Sequence, residues 1–245
     1  MQISKRLKAV ADMVTSGSIL ADVGTDHAYI PIYLAERGDI PRAIAMDVNK
    51  GPLEKAREHI VQFGLEQEIE TRLSDGLAAL ECGEVQSIVI AGMGGPLTVR
   101  ILREGREKLS GCRELILQPQ SDIKMVRAYI EDKGWQILRE EMICEEGKFY
   151  PVMKAVPAKV QKKGMEIGGD GENEREKMSP MELRFGPLLL QSRHPVLRDY
   201  LLREKRLDDR ILEALAGRTG EAAIRKREVE EELELIRQAL SLYID

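Results

Sequence analysis

The chain has 245 residues, 43% of them hydrophobic and 32% charged. Its net charge is −5, so it does not have the excess of basic residues found in many nucleic-acid-binding proteins. Its three cysteines lack the spacing of a structural zinc site and suit reduced thiols, so we expect a cytoplasmic protein without a metal. No apolar stretch approaches the roughly 20 residues of a membrane helix, and the N-terminal segment lacks a signal-peptide core, so we expect no membrane association.

Strand and helix patterns alternate along the first 157 residues. Short apolar runs predict strands at residues 18–22, 42–47, 67–73, 86–91 and 113–118. Helical patterns between them predict helices near residues 28–37, 51–63, 96–109 and 122–133. This order favours an α/β fold, in which a parallel sheet carries helices on both faces. Two more strand-like runs within residues 135–157 predict an antiparallel hairpin, an ending typical of Rossmann-like methyltransferases rather than of dinucleotide-binding dehydrogenases.

The rest of the chain differs in character. Residues 158–180 are rich in Lys, Glu and Gly and poor in apolar groups, which indicates a linker. Residues 181–245 are helical in pattern, and Pro195 suits the first turn of a long helix. After a glycine-bracketed turn, the last helix carries an apolar seam at Val229, Leu233, Ile236, Leu240 and Tyr243. We therefore predict that this region forms an antiparallel α-helical coiled-coil hairpin.

The turn after the first strand is the most informative stretch. Gly24 allows a sharp turn and a close approach by a ligand. However, the turn has one glycine, and the acids Asp22 and Asp26 would repel a pyrophosphate, so a nicotinamide or flavin dinucleotide fits poorly. S-adenosylmethionine has no phosphate and fits better. Asp22 or Asp26 can face its sulfonium and ammonium groups, while backbone N–H groups of the turn face its carboxylate. For Asp26, a helix N-cap is an equally good explanation.

Three later turns are expected at the same edge of the sheet. Asp47 ends the second strand, where an acid can accept both ribose hydroxyls of an adenosine; the alternative is a strand-end turn. Asp75 and Gly76 follow the third strand and suit an adenine, although Asp75 alone indicates an ordinary helix cap. The fourth strand ends in AGMGG, residues 91–95, which has more glycines than a turn needs and favours a ligand-facing loop.

Together these stretches resemble the bacterial tRNA (adenine-22)-N1-methyltransferases, a branch of the Rossmann-like S-adenosylmethionine-dependent enzymes. The matching stretches are LADVGTDHAYIPIYL, AMDVNKGPLEKA, SDGL, IAGMGG, LQPQ and LRFGPLLL. The resemblance spans nearly the whole chain and implies a methyltransferase domain over residues 1–157. It implies S-adenosylmethionine as cofactor, tRNA as partner, and transfer to N1 of adenine 22 in the D-arm. The site residues it implies are Asp22, Gly24, Asp26 and His27 at the methionine end, Asp47 at the ribose, Asp75 and Gly76 at the adenine, and Gly92, Met93 and Gly94 at the methyl-transfer mouth.

Adenine N1 has a free lone pair near neutral pH, so its methylation does not strictly require a general base. Catalysis would then rest on positioning and desolvation. Our candidate catalytic residues are Asp26, His27 and Tyr29. Tyr29 can stack on an unpaired adenine and His27 can hydrogen-bond the cofactor or the base; ordinary helix packing and a helix-start position are the alternatives. Gln118 and Gln120 bracket Pro119 at the end of the fifth strand; their amides can contact the base, but a simple turn is the favoured interpretation.

Cationic side chains must supply the affinity for RNA phosphates. The candidates outside the linker are Lys5, Arg6, Lys8, Arg193, Arg198, Arg203 and Arg206. The linker adds Lys159, Lys162 and Lys163. For each of these residues a solvated surface is the plainer interpretation. The hairpin can serve dimerisation instead of RNA binding, so the sequence leaves monomer and homodimer undecided.

Two other functions compete with tRNA methylation. One is methylation of another RNA or of a small molecule, although a small-molecule enzyme would have little use for a charged helical hairpin. The other is a non-catalytic RNA-binding protein, which would not need the set of acids and glycines at the strand ends.

Overall fold

A computed structural model describes residues 1–158, 177–217 and 219–244. The chain divides into two compact units, Met1–Lys177 and Met178–Asp245. Most of the predicted linker, with Lys159, Lys162 and Lys163, lies outside the described residues. Over the part that is described, no helix combines the length and the apolar character needed to cross a membrane.

A seven-stranded sheet forms the centre of the first unit. Its strands are β1 (Leu20–Val23), β2 (Ala43–Asp47), β3 (Ile69–Leu73), β4 (Ser87–Ala91), β5 (Glu114–Gln118), β6 (Trp135–Glu145) and β7 (Lys148–Pro157). They lie in the order β3-β2-β1-β4-β5-β7-β6. The first five strands are parallel, β7 is antiparallel to β5, and β6 and β7 form a hairpin. The predicted Rossmann-like sheet with an antiparallel closing hairpin is confirmed.

Four of the five α-helices described in this unit lie close to the predicted ranges, and the first had no predicted range. The five helices are α1 (Lys5–Ala11), α2 (Tyr29–Glu36), α3 (Lys50–Gln62), α4 (Gly95–Glu104) and α5 (Ile123–Asp132). One prediction was too long: the helix expected over residues 96–109 ends at Glu104, and a separate 3₁₀ turn covers Arg106–Leu109. Gly105 separates them at a tight contact, because a Cβ atom there would lie 2.6 Å from Leu77 Cδ1.

Alternate side chains of the strands enter two separate cores, as the two-residue period of a strand requires. On β4, Ile88 and Ile90 pack in the core that contains α4 and α5. Val89, between them, packs in the core that contains α1, α2 and α3. Both faces of the sheet are therefore covered, which leaves its carboxyl edge as the natural place for a ligand.

The second unit is helical. Its helices are α6 (Pro180–Phe185), α7 (Pro187–Gln191), α8 (Pro195–Leu215) and α9 (Glu221–Ser241). The hydroxyl of Tyr243, just after α9, donates a hydrogen bond to the carbonyl of His194, just before α8, at 3.0 Å. This contact joins the start of one long helix to the end of the other, so α8 and α9 form an antiparallel hairpin. The buried residues of its seam are Leu197, Leu201, Val229, Leu233, Ile236 and Ala239.

Gly95, the first residue of α4, packs against the loop that follows β5. A Cβ atom on Gly95 would lie 2.6 Å from the backbone oxygen of Ser121 and 2.7 Å from that of Asp122. Because backbone atoms yield little, we expect G95A to lower the free energy of unfolding by about 1–3 kcal/mol. Gly51, in α3, has open space on all sides, with no neighbouring atom within 4 Å of the position that a Cβ atom would take. We therefore expect G51A to be neutral or stabilising by up to about 1 kcal/mol.

Chemical denaturation of the two variants beside the wild type measures this difference. Equal unfolding free energies for G95A and G51A would contradict the packing described for the start of α4.

Candidate functional site

The carboxyl ends of β1 and β4 border a cleft of about 310 Å³. Of the residues predicted for the site, this cleft brings together Asp22, Gly24, Asp26, His27, Tyr29 and Gly92. Arg6, from α1, and Gln120, from the loop after β5, also line it. Residues far apart in the sequence of the first unit therefore meet at the edge where a parallel sheet binds ligands.

The carboxyl group of Asp22 is buried in the wall of the cleft. The residue is 6% exposed and no basic side chain of the described chain forms an ion pair with it. Burial raises the pKa of Asp22 to about 6, the negative charge of Asp47 adds to this, and a hydrogen bond with Thr25 opposes it. A buried acid without a basic partner is costly for folding, so the site is suited to a ligand that brings a positive charge.

The turn that follows Asp22 depends on Gly24. This residue has φ +75°, and a Cβ atom on it would lie 2.0 Å from Met93 Cε. Met93, in the loop after β4, thus packs directly on the glycine of the first turn. The backbone N–H groups of Gly24 and Thr25 both donate to the carbonyl of Met46 at 2.8 Å. These two donors are used within the protein and do not face the cleft as free anion-binding groups.

Three aromatic rings cluster beside the cleft. His27 lies 5.0 Å, centroid to centroid, from both Tyr29 and His59, and the rings are close to parallel. Nε2 of His27 lies 3.4 Å from the Asp26 carboxylate, whereas its Nδ1 is buried without a hydrogen-bond partner among the described residues. Tyr29 is 37% exposed. Sequence reasoning missed His59, because nothing in its position within α3 indicates which loop its ring faces.

Three predicted site residues at the ends of β2 and β3 do not line this cleft. Asp47 lies at the end of β2, where one carboxylate oxygen, Oδ1, accepts a hydrogen bond from the N–H of Asn49 at 2.7 Å. The strand-end turn that we considered as an alternative therefore exists, and it uses Oδ1 rather than Oδ2. Asp75 lies after β3, and its carboxylate pairs with Arg100 at 3.3 Å on the surface. Gly76 has φ +57° and packs on Ile101.

The glycines after β4 have different surroundings. Gly92 has φ +82° and lines the cleft. Gly94 precedes α4, and a Cβ atom on it would lie 3.1 Å from Ser121 Oγ. At least one glycine of AGMGG, Gly94, thus allows two loops to approach each other closely. The sequence alone does not show which of these glycines have this packing role and which contact a ligand.

Gln118 and Arg6 are connected across the sheet edge. Gln118 is fully buried at the end of β5, and its Oε1 accepts a hydrogen bond from Arg6 Nη1 at 3.0 Å. The turn favoured from the sequence does not account for the hydrogen bond that Gln118 accepts from Arg6. The other cations of α1 point elsewhere: Lys8 pairs with Asp12, and Lys5 is exposed.

The remaining predicted cations lie on the second unit. All four are exposed there: Arg193, Arg198, Arg203 and Arg206. Arg203 lies 3.9 Å from the Glu204 carboxylate, and Arg206 Nε donates to the carbonyl of Leu202. Across the described residues, no group of three or more His, Cys, Asp or Glu side chains could hold a metal ion.

Comparison with known proteins agrees with this architecture. A family model described as a methyltransferase domain matches residues 3–153. The tRNA (adenine(22)-N(1))-methyltransferase of Bacillus subtilis is 37% identical over 155 residues, which is 63% of this chain and 65% of that protein. The alignment thus spans less than two thirds of this relative's own length.

Solved structures match over nearly the full chain. The crystal structure of the B. subtilis M1A22 tRNA methyltransferase TrmK has a TM-score of 0.83 at 30% identity, covering 98% of this chain and 99% of that one. Streptococcus pneumoniae Sp1610, solved in complex with S-adenosyl-L-methionine, has a TM-score of 0.83 at 36% identity, with 98% and 100% coverage.

The buried Asp22 carboxylate gives a prediction about stability. Its pKa is raised from 3.8 to about 6, so between these values the folded protein binds more protons than the unfolded chain. The contribution of Asp22 to the free energy of unfolding therefore falls as the pH rises through this range and is constant above it. We expect D22N to be more stable than the wild type by about 3 kcal/mol at pH 8 and by about half of that at pH 5.

Chemical denaturation at the two pH values tests this expectation. The matched control is D26N, whose side chain is 73% exposed and whose stability should lie within about 0.5 kcal/mol of the wild type. A D22N variant that is less stable than the wild type at pH 8 would show that the carboxylate is satisfied inside the protein.

Proposed function

The chain belongs to the family of tRNA (adenine(22)-N(1))-methyltransferases, and from this membership we propose that it methylates N1 of adenine 22 in the D-arm of tRNA, with S-adenosylmethionine as the methyl donor. The observation that carries the proposal is the buried Asp22 carboxylate without a basic partner, in a cleft at the carboxyl edge of the sheet. A cationic ligand would compensate that charge, and a phosphate-rich dinucleotide would not.

The residues of the first unit fit the proposed cofactor. Its sulfonium supplies an electrophilic methyl group when the cofactor is bound. Asp22 and Asp26 provide negative charge on the wall of the cleft, and the buried Nδ1 of His27 provides an unused hydrogen-bonding atom. Asp47 keeps Oδ2 for a ribose hydroxyl while Oδ1 holds its own turn. We propose Asp75 and Gly76 for the adenine and Gly92, Met93 and Gly94 for the methyl-transfer mouth.

The aromatic cluster supports a role in holding the target base. Tyr29 has a partly exposed ring at the cleft, and the rings of His27 and His59 lie 5.0 Å and 5.5 Å from it, close to parallel. A flat, pre-oriented ring stacks on an unpaired base without losing much conformational freedom. The carboxylate of Asp26 beside His27 limits the orientations of the imidazole. The protein's contribution is then the alignment of the base and the exclusion of water, rather than removal of a proton.

The helical second unit supports contact with the body of the tRNA. Arg203 and Arg206 are exposed on α8, at a spacing of three residues, which places both on one side of the helix. We propose that residues 1–157 form the catalytic domain and that residues 181–245 supply phosphate contacts. A tRNA substrate also implies a cytoplasmic enzyme.

Transfer of labelled methyl to unmodified tRNA tests the proposed function. With S-adenosylmethionine, we expect label on tRNA that has adenine at position 22, recovered as 1-methyladenosine, and none on the same tRNA with guanine there. Equal labelling of both tRNAs would contradict the proposal that adenine 22 is the methylated nucleotide. No labelling of either, with calorimetric binding of the cofactor intact, would point to another substrate.

Substitution of Tyr29 tests the stacking role. Stacking of a base on an aromatic ring contributes about 1–3 kcal/mol, so we expect Y29A to lower kcat/KM for tRNA by about 10- to 100-fold. Y29F keeps the ring and should stay within about threefold of the wild type. The matched control is Y33A, one turn further along α2 and outside the cleft lining. An equal loss of kcat/KM in Y29A and Y33A would mean that helix packing alone explains the effect of replacing Tyr29.

A further inference from the structure

Arg6 is a cation that lines the cleft, and among the described residues no ion pair neutralises its guanidinium. Arg37, in the same unit, pairs with Asp39 at 2.7 Å, and Arg72 pairs with Glu70 and Glu84 at 2.9 Å. An arginine left without an acid at the wall of a binding cleft is suited to an anionic ligand.

Neutral groups hold Arg6 in place instead. The carbonyl oxygen of the buried Gln118 amide accepts from Nη1 at 3.0 Å, and the guanidinium carbon lies 5.5 Å from the centre of the Tyr150 ring. An amide and an aromatic face fix the orientation of a guanidinium without cancelling its charge. The remaining N–H groups of its planar fork stay available for a second partner.

The helix that carries Arg6 is itself anchored to the sheet. At its start, Lys5 N–H donates to Glu145 Oε1 at 2.8 Å, and Ser4 Oγ caps Leu7 N–H. After its end, Arg139 and Lys154 donate to the carbonyls of Asp12 and Met13. Contacts at both ends make Arg6 a pre-oriented group, which lowers the entropic cost of binding through it.

Space is present on the cleft side of the guanidinium. A Cβ atom on Gly92 would lie 3.7 Å from Arg6 Nη1 and 3.8 Å from Gln120 Nε2, so the bare glycine leaves the two donor groups accessible. Two amides of the turn after β1, those of Gly24 and Thr25, do not compete as donors, because both are bonded to the carbonyl of Met46. An anionic group in this cleft thus finds its positive partner at Arg6.

From this geometry we infer that Arg6 is an oxyanion-binding residue of the cleft and that Gln118 is the positioning residue that orients it. The inference rests on the proposed function, which supplies two sources of one chemistry: the carboxylate of S-adenosylmethionine and a phosphate of the bound tRNA. This use of Arg6 is more specific than the general phosphate contact expected from the sequence. It also gives the buried Gln118 amide a role beyond a turn.

Binding measurements on R6Q, R6K and Q118L test the inference, with S-adenosylmethionine titrated by calorimetry and tRNA by fluorescence anisotropy at several salt concentrations. One lost charge-assisted hydrogen bond corresponds to about a tenfold weaker Kd. We expect R6Q to lose about tenfold for one of the two ligands. The matched control is R37Q, which removes another arginine that lies over a tyrosine ring, 5.2 Å from the centre of Tyr33, but outside the cleft and paired with Asp39.

The two ligands identify the source of the oxyanion. Weaker cofactor binding with unchanged tRNA binding assigns the carboxylate. Weaker tRNA binding, with the slope of log K against log salt reduced by about 0.7–0.9, assigns a phosphate. If a phosphate is assigned, R6K and Q118L should keep the wild-type dependence of tRNA binding on salt, because the positive charge remains, but should bind tRNA less tightly. A general structural defect would not lower the affinity while leaving the salt dependence unchanged.

Unchanged binding of both ligands to R6Q, or equal losses in R6Q and R37Q, would overturn the inference. Failure of the wild type to methylate tRNA would instead count against the proposed function. The two failures are therefore distinguishable within one set of measurements.

Discussion

The site is organised around one unfavourable charge, the buried carboxylate of Asp22 at the end of β1. Folding places it beside a second acid, Asp47, and among apolar strands, and within the described residues a hydrogen bond with the Thr25 hydroxyl stabilises it. We expect a core with a neutral residue at that position to be more stable. Such a destabilising group persists where function requires it, because stability and activity trade against each other.

Close packing of backbone segments gives this charge its surroundings. Gly24 allows Met93 to lie against the first turn, and Gly95 allows α4 to start against the loop after β5. The loops after β1, β4 and β5 are thereby held together as one edge. Acids lie on the β1 and β2 side of that edge, and the guanidinium of Arg6 is held from the β5 and β7 side by Gln118 and Tyr150. The cleft thus offers opposite charges to a ligand that carries both.

The sequence predicts the strands, the helices and the closing hairpin well, because each depends on local periodicity and on turn residues. It also locates the acids and glycines at strand ends, since the topology of a parallel sheet brings these ends together. The sequence does not show which side chains contact one another. The bond between Arg6 and Gln118 joins residues 112 positions apart, and the ring of His59 meets His27 only through the packing of α3. Likewise, the pairing of Asp75 with Arg100 depends on rotamers that no local pattern specifies.

The central claim is that the negative charge of Asp22 faces the positive charge of the cofactor, and proton release on cofactor binding tests it most directly. Calorimetric titration with S-adenosylmethionine at pH 6, in two buffers of different ionisation enthalpy, counts the protons released. A carboxyl group with a pKa of about 6 is half protonated there, so the wild type should release about half a proton more than D22N, and the difference should vanish near pH 8. Equal proton release by the wild type and D22N at pH 6 would contradict the account.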